Sequence, residues 1–449
     1  MTRDDVLNAA FRVWGQELYK TTSLSKLAKN LGVSKPALYR HFPDKQSLLD
    51  AMKERFYDNY ADAIKPVIEE EVLKSSSPQK KHLAIVQFIA AYFARHFDYF
   101  IYSLNRFHEN DPHFFHIEEM NKRGIYFAKL GFQDSSDHPS ALLLAGITAF
   151  LGIAMFHKRR HGIEDTVLRN MEQLDESWFL EAPKDEIDHF SAALAERIRL
   201  GLLFDRRVVD SLPYEKLETS DAGIYAPPEP LLKAAAEVIA EEGPWNTSME
   251  TVAKRSGLSK SGLYAHFKSK NAMLSRLFMT EFECIAQCAA ARTAQAKTRE
   301  ERLYLAILSI ADYFLDRPEI LIMMDWLRIQ RLELDFSIPG VLFDVFSGLK
   351  LTCSAEDQQC RYALQHDKGS PQDISSEGIF DNISHWVLFL LVAVLMKDCC
   401  QRAVDVKPPI SAENKPEKLN RSSLRKMFRF ISLGLEGINC SVYSPAPAD

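Results

Sequence analysis

One 45-residue pattern occurs twice in this chain, at a fixed offset of 225 and without a gap. Residues 6–50 and 231–275 share 18 identical positions, among them Gly32 with Gly257, Leu38 with Leu263, Tyr39 with Tyr264 and Lys45 with Lys270. A solenoid is excluded, because its units run to roughly 20–50 residues. The pattern instead describes a two-domain unit duplicated head to tail. The expected boundaries are a first small helical module at 1–50, a first helical body at 51–206, a linker at 207–229, a second module at 230–275 and a second body at 276–441. At 449 residues the chain is long enough for such a division.

Each copy reads as short helices with sharp turns. Val6, Leu7, Ala10, Phe11 and Trp14 fall at helical spacing, and Leu24, Leu27, Ala28 and Leu31 make a second apolar stripe. Gly32 stops that stripe, Ser34 caps a third helix, and Pro36 sits in its first turn, where a missing N–H does no harm. Asp44 caps a fourth helix carrying Leu48, Leu49, Met52 and Phe56. In the second copy Thr247 with Glu250 reads as a capping box, Gly257 stops the second helix, and Ser259 and Ser269 cap the third and fourth. Only Gly32, Val33 and Ser34 separate the second and third helices, the geometry of a helix-turn-helix. Leu38 and Leu263 then face inward, leaving positions 35–37 and 40, and 260–262 and 265, outward.

Charge distribution agrees. The chain carries a net −6, but residues 1–50 hold eight Lys/Arg against five Asp/Glu, and residues 231–275 six against four. Two mildly basic modules on an acidic body are compatible with a nucleic-acid partner.

The segments TTSLSKLAKNLGVSKPALYRHFPDKQSLL and NTSMETVAKRSGLSKSGLYAHFKSKNAML resemble the DNA-binding domain of the tetracycline-repressor (TetR) family of bacterial transcription regulators. The resemblance covers about 50 residues of each half. It implies an all-α fold, double-stranded DNA as partner, and a regulatory domain that binds a small effector and dimerises through its last two long helices. Carried onto this sequence, the DNA-contacting positions are Thr22, Ser34, Lys35, Pro36, Ala37, Tyr39, Arg40, His41 and Lys45 in the first head. In the second they are Thr247, Ser259, Lys260, Ser261, Gly262, Tyr264, His266 and Lys270. Leu18 departs from the family, which usually has Gly there, as the second copy does at Gly243. Gly262 is expected to weaken the second recognition helix, since Gly costs about 1 kcal/mol relative to Ala.

Family members pair as homodimers, so one chain with two heads is expected to be an internal pseudo-dimer. Two apolar runs, Ser140 to Phe156 and Trp386 to Met396, together with Leu200-Gly201-Leu202 and Leu433-Gly434-Leu435, are its expected four-helix interface. A helix apolar on all sides is read here as one buried between others and not as a membrane span. The linker is polar, holds Pro213, Pro227 and Pro228, and would span tens of ångströms if extended.

Tyr92 to His116 holds nine Phe/Tyr in 25 residues, with Phe88, Tyr92, His96 and Phe100 four apart on one helical face. Such a stripe is either core or the wall of an effector pocket, with Tyr92, His96, Tyr99, Phe100 and Tyr102 in the first half and Met323 and Trp326 in the second. No Cys lies near His113 and His116, and a metal held by them is the minor reading. The seven cysteines are scattered, and a charged, amphipathic N-terminus argues for free thiols in a cytoplasmic protein. No metal, cofactor or catalytic motif is expected. The function implied is a ligand-responsive transcription regulator, a repressor before an activator. The rival readings are a ligand-binding or scaffolding protein of the same fold that has left DNA, and an enzyme housed in the helical bodies.

Overall fold

The computed structural model describes residues 2–16, 23–30, 32–107, 117–130, 141–162, 176–219, 229–329, 345–346, 383–402 and 421–438, and every regular element among them is helical. The first half runs α1 (Arg3–Gln16), α2 (Leu24–Asn30), α3 (Lys35–Tyr39), α4 (Lys45–Val67), α5 (Pro78–Arg95), α6 (Phe97–Phe107), α7 (Ile117–Lys122), α8 (Ala141–Arg160) and α9 (Lys184–Leu200). Two short helices follow, α10 (Arg206–Ser211) and α11 (Tyr214–Glu218). The second half runs α12 (Pro230–Asn246), α13 (Met249–Arg255), α14 (Lys260–His266), α15 (Lys270–Thr293), α16 (Arg299–Asp316), α17 (Pro318–Ile329), α18 (Ile383–Arg402) and α19 (Arg421–Gly437).

The halves meet through α8 and α9 of one and α18 and α19 of the other. The helices α8 and α9 pack together, as do α18 and α19, while α8 touches both α18 and α19 and α9 touches α19. Helix α8 is long and apolar enough to cross a membrane by length and composition, yet its apolar window is 83% buried inside the protein. Burying the Trp386 ring on α18 requires a partner for its indole N–H. Thr148 of α8 supplies it, its Oγ1 accepting at 2.9 Å.

Where α9 ends, the backbones themselves come into contact. Gly201 and Gly434 both lie at φ 63. A Cβ on Gly201 would stand 2.4 Å from the Gly434 nitrogen, and one on Gly434 would stand 2.1 Å from the Arg199 carbonyl oxygen. Only residues without a Cβ pass here, and positive φ adds a second reason for glycine. The close approach lets the Leu202 N–H donate to the Ile431 carbonyl at 2.8 Å and Phe204 to Ser432 at 3.1 Å.

One segment is filled in and one expectation is corrected. Residues 207–229 are not extended throughout, because α10 and α11 fold against the second half. Val209 and Leu212 are buried, the Tyr214 ring meets the Tyr304 ring edge-on at 5.0 Å, and Glu218 accepts two hydrogen bonds from Arg425 at 2.7 and 2.8 Å. Nor does one helical face run through Phe88, Tyr92, His96 and Phe100. Helix α5 stops with His96 as its C-cap (φ −109, ψ 73), and α6 begins at Phe97. The rings still cluster, with Tyr92 5.4 Å from Phe88, 4.7 Å from His96 and 5.2 Å from Tyr60.

Candidate nucleic-acid interface

In both heads the turn before the third helix is held by the same bonds. Gly32 takes positive φ at 64° and Gly257 at 71°. Each closes its helix in a Schellman motif: Val33 N–H donates to the Ala28 carbonyl at 2.9 Å, and Leu258 N–H to Ala253 at 2.8 Å. The Ser34 hydroxyl then accepts from the Ala37 N–H, and Ser259 from Gly262. Asp44 and Ser269 cap the fourth helices, Asp44 through a full capping box with Ser47. Backbone groups that would otherwise be orphaned are thereby paired on both sides of a three-residue turn. That fixes α3 and α14 against α2 and α13, with Leu38 and Leu263 buried beneath them.

The outward faces follow. Ser34, Lys35, Pro36, Tyr39 and Arg40 are exposed, and Ala37, His41 and Lys45 are half-buried. Opposite them, Ser259, Lys260, Ser261, Tyr264 and His266 are exposed, and Gly262 and Lys270 are half-buried. Tyr39 and Tyr264 are each 46% exposed. A large ring left in water at the same place in both copies is not explained by core packing. Burial pushes the Lys270 ammonium below the usual lysine value, and a phosphate beside it would favour the charged form again. Gly262 does not shorten its helix: α14 spans seven residues against five for α3.

The Thr247 assignment is corrected. The chain kinks at Gly243 (φ 77, ψ 155), Thr247 becomes the C-cap of α12, and its buried hydroxyl donates to the Gly243 carbonyl at 2.8 Å. The N-cap of α13 is Ser248, accepting from Thr251 N–H at 3.0 Å, so no Thr247–Glu250 box forms. Glu250 pairs instead with Lys260 at 3.5 Å. Thr22 lies outside the described residues, as do His113 and His116.

Behind each head, the long fourth helix is joined to the body differently. In the first half, Phe11 of α1 stacks edge-on against Tyr99 and Tyr102 of α6, at 4.7 and 5.1 Å. Asn59 of α4 donates to the Tyr99 hydroxyl at 2.6 Å. On the outside, Arg123 donates to Asp58 at 2.7 Å, Glu54 at 2.6 Å and Glu119 at 3.1 Å. Burial alone would raise the Glu119 carboxyl, but hydrogen bonds from Lys53, Lys122 and Arg123 bring it down to about 2. In the second half, Glu281 of α15 accepts from the Tyr313 hydroxyl at 2.5 Å and from Arg317 at 3.0 Å, all three side chains being buried. Sequence reading missed Glu281, Arg317, Asn59, Arg123 and the Glu250–Lys260 pair. For Glu281 a signal existed, since a carboxylate stands in an apolar helical stripe.

Of the expected pocket residues, Tyr92, Tyr99, Phe100, Tyr102 and Met323 are core, and His96 is a half-buried helix cap. The Tyr92 hydroxyl is buried and has no hydrogen-bond partner among the described residues. The side chain of Trp326 lies outside the described residues.

Comparison with known proteins finds the family model described as bacterial regulatory proteins, tetR family, matching at residues 6–52 and again at 231–277. Among curated proteins, the nucleoid occlusion factor SlmA of Idiomarina loihiensis is 35% identical over 69 residues, which is 15% of this chain and 35% of SlmA. The HTH-type transcriptional repressor ComR of Escherichia coli is 36% identical over 59 residues, 13% of this chain and 28% of ComR. The chain thus spans about a third of the length of these relatives.

Proposed function

Two tetR-family N-terminal domains stand in tandem in this one chain, and from that premise we propose that a single polypeptide supplies both reading heads of a DNA-binding transcription regulator. The observation that carries the reading is the repeated head: the same capped turn, the same buried leucine and the same exposed tyrosine, twice. The contact of α8 and α9 with α18 and α19 supports treating the two halves as an internal pseudo-dimer. A double-stranded operator would be met at two successive major grooves, about 34–36 Å apart.

The regulator acts as a repressor whose release follows binding of a small-molecule effector. Tyr92 supports the effector part, because its buried, unpartnered hydroxyl sits among Tyr60, Phe88 and His96, where a ligand's polar atom would satisfy it. Such an effector shifts the population toward a head spacing that no longer fits the two grooves.

Gel retardation of the chain's own upstream DNA tests the core of the proposal. Retardation should weaken linearly in log K against log salt, and Lys45→Ala should flatten that slope by about one unit. No retardation at low salt, or an unchanged slope in the variant, would count against DNA binding through these heads.

A further inference from the structure

The two heads share a backbone but not an outward chemistry. In the first, Lys35 and Arg40 are exposed, and among the described residues neither side chain makes a hydrogen bond or ion pair. In the second, Lys260 is held by Glu250 at 3.5 Å, and the residue at the place of Glu250 in the first head is Ser25. The Ser261 hydroxyl lies 3.0 Å from that of Ser259. Ala265 stands where the first head has Arg40. On α13, Arg255 pairs at the surface with Glu241 at 2.6 Å and Glu237 at 3.6 Å. Lys260 and Arg255 therefore already have partners within the protein, and a carboxylate stands beside the second recognition helix.

These differences decide what each head can read. A guanidinium presents two parallel donors to the guanine major-groove edge, which alanine cannot do. Lys260 must leave Glu250 before it can reach a base, and Glu250 then faces the duplex uncompensated. Tyr264 and the half-buried Lys270 keep hydrogen-bond donors suited to phosphates, which position a protein without specifying sequence.

We propose that the heads are functionally unequal: the first, through Arg40 and Lys35, specifies one half-site, while the second is a sequence-tolerant anchor on the DNA backbone. The operator is then non-palindromic, with one defined arm and one degenerate arm. The inference rests on the DNA-binding reading above.

Selection of the full chain on a pool of randomised duplexes, followed by footprinting, tests it. The expected result is a footprint over both arms, with base preference confined to one. Arg40→Ala, an exposed change, should reduce discrimination in that arm by roughly 5- to 150-fold and leave the other unaltered. Glu250→Ser with Ala265→Arg should create base preference in the degenerate arm. A palindromic consensus, with Arg40→Ala disturbing both arms equally, overturns the inference while leaving DNA binding intact. The same holds if the Glu250→Ser/Ala265→Arg variant leaves the second arm featureless. Failure to enrich or retard any duplex overturns the DNA-binding reading itself.

Discussion

The joints behind the two heads occupy corresponding places and bury different materials at their centres. Phe56 and Glu281 sit at the same offset of 225 as the heads themselves, on α4 and α15. The caps that end α5 and α16 also match: His96 (φ −109, ψ 73) donates to the Tyr92 carbonyl, and Arg317 (φ −130, ψ 71) to that of Tyr313. Yet Phe56, Tyr92 and His96 belong to an aromatic cluster, whereas Glu281, Tyr313 and Arg317 form a buried, mutually bonded polar triad. The hydrophobic gain from packing rings together is non-directional and scales with area, even though ring pairs favour edge-on or offset arrangements. A buried ion pair tolerates one geometry and penalises any other. The buried centre of one joint is therefore held mainly by area and that of the other by directed bonds, while the first joint keeps its ionic contacts, Arg123 with Glu54, Asp58 and Glu119, on its outside.

The largest expected effect comes from halving the polar triad. Arg317→Met leaves the Glu281 carboxylate buried and should cost about 3–5 kcal/mol in denaturant unfolding. Replacing all three groups by apolar ones (Glu281→Leu, Tyr313→Phe, Arg317→Met) should return stability to roughly that of the parent, since an apolar set of similar volume often does as well. Equal losses in both variants would show that the site is valued for packing, and the contrast between the joints would dissolve.

Acid should separate the halves next. Burial holds the His157 imidazole down at about 3, with Arg160 and His161 adding to the effect. Its folded value lies below the unfolded one, so as pH falls through 6.5 the unfolded chain takes the proton first. Stability then drops by up to about 1.4 kcal/mol per pH unit until the folded form also titrates. Glu119 works in the same direction: held at about 2 when folded, it adds a loss that begins as pH falls through the ordinary carboxylate range. Both groups lie in the first half. Amide hydrogen exchange at pH 7 and pH 5 should thus show protection lost earlier in α5–α8 than in α15–α16, and His157→Leu should flatten the trend. Uniform loss across both halves would refute this.

The smallest effect sharpens the aromatic side. Tyr99→Phe removes only the hydrogen bond from Asn59, whose counterpart in the second half is Cys284. The cost should be about 1 kcal/mol by thermal unfolding. A cost several times larger would mean that the first joint, too, depends on a directed polar contact.

How much of this was legible in the sequence depended on whether a signal was local. The caps Ser34, Asp44, Ser259 and Ser269 and the helix stops Gly32 and Gly257 act within four residues, and they read correctly. The apolar runs around residues 140–156 and 386–396 also read correctly as helices that meet, because a surface apolar on all sides has to be covered. Thr247 misled because Gly243 kinks the chain and moves the cap by one residue, a backbone event that no side-chain pattern records. The stripe through His96 misled for a similar reason, since periodicity cannot tell one helix from two in sequence. The triad of Glu281, Tyr313 and Arg317 joins residues 32 and 36 positions apart, and such pairings emerge only once packing has set the helices side by side.

The crossing of Gly201 and Gly434 carries a consequence for how this protein behaves on dilution. When two separate polypeptides meet through such a contact, its occupancy follows their dissociation constant, and the pair thins out as copy number falls. Here both glycines lie on one covalent chain, so closing the contact is an intramolecular step governed by an effective concentration fixed by the intervening sequence. The contact between the halves is then independent of how many molecules a compartment holds.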